Sequence, residues 1–166
     1  MKIVSTFALI FTLILSSVVF ANLGNQKQDM KFELQWGGYY ISKNEDGKFG
    51  VFRILDFNID AYHVALFSEE FDKEPDMEAV LKLGPFIGHA PIDSKSLLNK
   101  NDLRLIGSRK LTKDDLVGYR YYLTGGEDED EELGKFINNV IDFSTKPSMK
   151  LLLSVSEGKL EIKEQE

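Results

Sequence analysis

The sequence predicts an α+β fold: a strongly bent antiparallel sheet, a barrel-like meander, with short helices packed against it. Two observations predict it. Apolar residues alternate at a period of two through closely spaced runs in the first half, KFELQW, YYIS, FGVFRILD and AYHVALF. After Phe67 the pattern changes to short helical stretches mixed with further extended runs, and antiparallel strands with helices set to one side make this class.

The first 21 residues, MKIVSTFALIFTLILSSVVFA, read as a signal peptide. Lys2 supplies the positive start, Ile3 to Leu15 the apolar centre, and Val19 and Ala21 the small residues before a cut at Asn22. The expected location is the periplasm or the medium. Asn22 to Asp29 (NLGNQKQD) is a polar lead-in, and residues 30–166 form one domain. Lys2 is the only charged residue of the leader. The mature chain therefore keeps 19 of the 20 basic residues against 27 acidic ones, a net charge of −8. Such a surface disfavours nucleic acid and anionic membranes, whose binding needs Lys and Arg on phosphate. No apolar run after the leader is long enough to span a bilayer. The chain has no cysteine, which removes disulfides, thiol nucleophiles and thiolate metal sites and leaves packing to hold the fold.

Along the domain, KFELQW turns Phe32, Leu34 and Trp36 to one face as a half-buried strand, and Gly37-Gly38 breaks it. YYIS and FGVFRILD are joined across Asp46-Gly47, a strong hairpin signal. AYHVALF follows the break at Asn58-Ile59-Asp60. FDKEPDMEAVLKLG reads as a helix with Pro75 in its first turn, Met77, Val80 and Leu81 on one face and Gly84 as its stop. FIGHAPI is extended, and Pro91 confines it to a sheet edge. Asp93 or Ser94 caps a turn over SKSLLNK, and LRLIG is another strand. Thr112 and Asp115 make a capping-box pattern ahead of GYRYYL, read as a strand. The acidic block Gly125 to Glu132 opens a helix over Glu132 to Asp142, with Leu133, Phe136, Ile137, Val140 and Ile141 on one face. Pro147 ends that segment, and a last hairpin turns at Glu157-Gly158.

Chemistry is sparse. Ser94, His89 and Asp93 can be written as a triad, but no nucleophile elbow exists and the spacing does not demand one. His63 and His89 lack helical partners for zinc, so a structural histidine bonded through its second nitrogen is the expectation. The acidic block lacks the calcium-loop spacing, and the glycine pairs lack a phosphate-loop lysine. No metal or cofactor is expected. An exported hydrolase of carbohydrate or peptide with carboxylates or His89 at its centre, and an envelope accessory protein binding a small ligand, are the rival readings. The aromatics are more informative. Trp36, Tyr39 and Tyr40 flank a glycine break, and Tyr119, Tyr121 and Tyr122 crowd one stretch. Adjacent residues of a strand point to opposite faces, so these rings either anchor an interface or cover an open edge.

Three stretches carry a resemblance: YYISKNEDGKFGVFRIL, HVALFSEEFDKEPDMEAV and LRLIGSRKLTKDDL. In order and spacing, Gly38 to Leu123 resembles an immunity family of bacterial polymorphic toxin systems, the one numbered twenty-six. Leu103 or Leu105 stands where that family's pattern has an aromatic, and the leader and C-terminal hairpin lie outside it. The resemblance implies a non-enzymatic protein that binds a cognate toxin and blocks it. The expected contact for such a basic toxin domain comprises Trp36, Tyr39, Tyr40, Tyr121, Glu127, Asp128, Glu129 and Asp130, acids that speed the encounter beside tyrosines that anchor it.

Overall fold

A computed structural model describes residues 30–58, 61–98, 102–146, 150–156 and 159–165. The leader at 1–21, the lead-in at 22–29, most of the break at 58–60, Pro147 and the turn at 157–158 lie outside the described residues.

The fold is α+β, with two antiparallel sheets rather than one. Strands β2 (Gly38–Lys43), β3 (Phe49–Asn58), β4 (Ala61–Leu66) and β5 (Ile87–Asp93) make the meander, and β6 (Arg104–Ser108) joins beside β2, giving the order β5-β4-β3-β2-β6. Pro91 does sit on an edge strand, β5. The second sheet has the order β1-β7-β8, from β1 (Met30–Gln35), β7 (Lys150–Ser156) and β8 (Lys159–Gln165). The sheets do not close, so the barrel-like expectation is corrected to two open layers. Gly37 is the physical reason. Its φ of 72° turns the chain out of β1, and its carbonyl accepts from Arg109 N while its N–H donates to Ile54 O. A Cβ there would lie 2.3 Å from Arg109 O, so only glycine fits. Released from the meander, β1 pairs with β7 over Met30↔Val155 to Gln35↔Lys150.

The main core lies between the two sheets and under the helices. Phe32 and Leu34 of β1 meet Tyr40, Phe52, Ile54, Tyr62, Val64 and Leu153. Alternation sends Tyr39, Ile41 and Val51 to the other face of the large sheet, where Val80 closes a smaller cluster with Met77 and Ile106. The large sheet is thus covered on both faces, which is why β2 and β3 are buried along nearly their whole length.

Helix α1 (Met77–Val80) is one turn, capped by Asp76, whose side chain accepts from Ala79 N at 2.8 Å. Pro75 therefore precedes the cap rather than opening the helix, and Leu81 is exposed while Val80 is buried. Helix α2 (Ser94–Leu98) starts with Lys95 N donating to Asp93 at 2.7 Å. Helix α3 (Val117–Thr124) replaces the strand expected over GYRYYL, and α4 (Glu131–Phe143) lies where a helix was expected. The reason for α3 is periodic. Leu116, Tyr119 and Leu123 recur at helical spacing and all pack into the main core, which overrides the strand preference of three tyrosines.

Candidate partner-binding surface

Helix α3 lies across β5, where Gly118 permits close contact: a Cβ at that position would meet His89 Cβ at 3.0 Å and the Gly88 backbone at 3.3 Å. The helix ends at Gly125 in the left-handed conformation, which closes the last turn on Tyr121 O. With Tyr119 inside, the outward face carries Val117, Tyr121 and Tyr122. Among the described residues, seven large hydrophobics are exposed, and five of them are these three together with Phe86 and Ile87 at the start of β5. Phe86 is 73% exposed and Tyr121 69%. Scattered exposed apolar residues are ordinary, but here they are concentrated on one helix and the adjoining strand end, which makes this face the candidate contact surface.

Beneath this face is a buried polar cluster. A bulge in β3 between Ile54 and Asp56 sets Asp56 opposite His63 and aims its carboxylate inward. Asp56 accepts from Trp36 Nε1 at 2.7 Å and from the Tyr119 hydroxyl at 2.6 Å. Burial raises its pKa, and these hydrogen bonds oppose the rise. Alongside, His63 Nδ1 lies 2.9 Å from His89 Nε2, with the rings stacked and Tyr119 and Tyr122 packed against both. The Asn58 backbone acts to raise the His63 pKa against the larger effect of burial. One of the two facing nitrogens carries a proton and donates to the other. Burial holds both imidazoles neutral; His89 falls to about 4, with His63 as a second cause.

This geometry gives the triad no support. His89 turns its Nε2 to His63 and Asp93 is spent on capping α2, while Ser94 is buried. Among the described residues, no group of three or more His, Asp or Glu could hold a metal.

Two concavities flank Val117. One is a cleft of about 350 Å³ whose lining includes Leu55, Ala65, Phe67, Pro85 and Gly88. Its polar wall is Arg53, which is buried: Nη1 donates to Asp115 at 2.6 Å, Nη2 to the carbonyls of Arg109 and Lys110, and the guanidinium lies over the Tyr39 ring. Burial pushes the Asp115 carboxyl up, but hydrogen bonds from Thr112 and the charge of Arg53 outweigh it and hold the group below the usual range. Thr112 and Asp115 bond each other reciprocally, as the capping-box pattern predicts. The other concavity, about 290 Å³, includes Val117, Arg120, Tyr121, Glu127, Asp128 and Glu129 in its lining.

The structure divides the residues expected at the contact. Trp36, Tyr39 and Tyr40 are 5%, 3% and 1% exposed, so these rings are core, although Tyr39 also lines the cleft beside Val117. Tyr40 even bridges the two sheets, its hydroxyl accepting from Gln35 N at 3.0 Å and donating to Glu33 O at 2.7 Å. Tyr121 is on the surface. Glu129 pairs with Arg120, and Asp130 caps α4 by accepting from Leu133 N at 2.7 Å, an interaction worth about 1 kcal/mol. Glu127 and Asp128 line the acidic cup. Tyr122, singled out in the sequence with Tyr119 and Tyr121, is exposed as well, whereas Val117, Phe86 and Ile87 drew no attention there. The signal that finds Val117 is the inward spacing of Leu116, Tyr119 and Leu123, which fixes what remains outside.

No helix of the described residues is long and apolar enough to cross a membrane. In comparisons with known proteins, no family model matches this chain, and neither a curated protein nor a solved structure matches it.

Proposed function

We propose that this protein is an exported, non-enzymatic binding protein that neutralises a basic protein partner, in the manner of a periplasmic immunity or inhibitor protein. One observation carries the reading: five of the seven exposed large apolar side chains of the described residues gather on α3 and the start of β5, beside the carboxylates of Glu127 and Asp128. Aromatic anchors beside a charged rim suit protein recognition. The net charge of −7 over the whole chain favours a basic partner and a fast, salt-sensitive encounter.

The test is purification from periplasmic extract with tagged protein, in parallel with a Tyr121→Ser/Glu127→Ser/Asp128→Ser variant. One basic protein should be retained at stoichiometric level at low salt by the parent chain and lost by the variant. Retention of the same protein by both, or of none by either, overturns the proposal.

A further inference from the structure

We infer that Val117 is the ridge of a two-part recognition site, taking a partner segment that carries an apolar side chain close to a lysine or arginine. The inference rests on the proposed binding function and specifies its ligand.

The two concavities share Val117 and differ in chemistry. On one side, the cleft is floored by Leu55 and Ala65 and walled by Phe67 and Pro85. Its two arginines are engaged, Arg53 by Asp115 and two carbonyls and Arg109 by Asp115 at 3.4 Å, and the exposed Asp114 is the remaining charged group of its lining. Away from Asp114 the cleft offers a ligand apolar surface, and an aliphatic or aromatic side chain gains most there. On the other side, Glu129 is held by Arg120, while Glu127 and Asp128 face the cup beside the Tyr121 ring. Carboxylates beside an exposed aromatic face suit a cation on a flexible stem. Val117, exposed between the two, packs against the backbone of a segment that crosses it. Because the cleft is charge-balanced and the cup is acidic, the site reads an order, apolar then basic, and rejects an acidic neighbour by repulsion.

The experiment is an amide NMR titration of the protein with acetyl-Phe-Gly-Lys-amide, and with two control peptides in which Ser replaces Phe or Glu replaces Lys. The parent peptide should shift Ala65, Gly88 and Gly118 together with Gly126, Glu127 and Asp128, and both sets should saturate along one binding curve. The Ser peptide should lose the first set and the Glu peptide the second. Val117→Arg, a change at an exposed position, should weaken both sets by about tenfold with the spectrum otherwise retained. Shifts at Gly126 to Asp128 alone, or two sets with independent curves, overturn the two-part site and leave the acidic surface standing. Silence in both sets overturns the site and counts against the binding reading as well.

Discussion

Trp36, Tyr39 and Tyr40 look much like Tyr119, Tyr121 and Tyr122 as text, yet the fold treats them oppositely. The first group straddles the end of β1 and the start of β2, and every ring finds an interior place: Trp36 on Asp56, Tyr39 under Arg53, Tyr40 between the sheets. The second group lies on a helix, where only one position in three or four faces inward, so Tyr119 joins Asp56 and its neighbours stay outside. The lesson is that a sheet covered on both faces absorbs adjacent aromatics, whereas a helix on the surface must display some of them.

The largest test of that contrast is Tyr40→Ala. It removes a fully buried ring and leaves Gln35 N–H and Glu33 O without their shared partner, so we expect a loss of about 4 kcal/mol in denaturant unfolding. Next is Asp56→Ala, which cuts the bond common to both groups. Two buried donors are orphaned, and the expected loss is about 3 kcal/mol, against about 1 for Asp56→Asn, which keeps one acceptor in place.

Acid comes third. Both histidines are lowered in the fold, so the native state binds fewer protons than the unfolded chain. Their contribution is complete above the ordinary histidine pKa of 6.5 and is lost as pH falls towards about 4. Discounted for the partial solvation of His89, this is on the order of 1–2 kcal/mol. Asp56 acts with the opposite sign: its raised pKa adds stability below the ordinary aspartate range and loses it as pH rises. Thermal unfolding from pH 7 to 4 should therefore fall less steeply in His89→Gln than in the parent, and equal slopes would remove the histidine pair as a cause. The smallest effect belongs to Tyr121→Ala, below about 0.5 kcal/mol in stability, because the ring is on the surface. A cost comparable to that of Tyr40→Ala would erase the contrast.

Much of the fold was legible because the signals were local. Alternation placed β2, β3 and β4, Asp46-Gly47 marked the hairpin, and the apolar spacing from Leu133 to Ile141 marked α4. The failures were of two physical kinds. Tyrosine's preference for strands hid the helical spacing of Leu116, Tyr119 and Leu123. The departure of β1 into a second sheet depends on Gly37 meeting Arg109, a contact between residues far apart in sequence. At the candidate surface, the acidic block was legible as charge. Which of its members were committed elsewhere was not, since the pairing of Arg120 with Glu129 and the capping by Asp130 are decided by three-dimensional placement.

The pairing of β1 with β7 also sets an order of events in time. The meander from β2 to β5 closes through neighbours in sequence and can form as soon as those residues exist. The small sheet joins Met30 to Val155, and contacts of such long separation form late, after much of the chain's freedom has already been spent. Until then Phe32 and Leu34, which end in the core, lie on a strand with no partner. The pairing of β1 onto the local β7–β8 hairpin is thus a clasp that shuts last, and the interval before it shuts is when this chain is most open to aggregation or to capture by a chaperone.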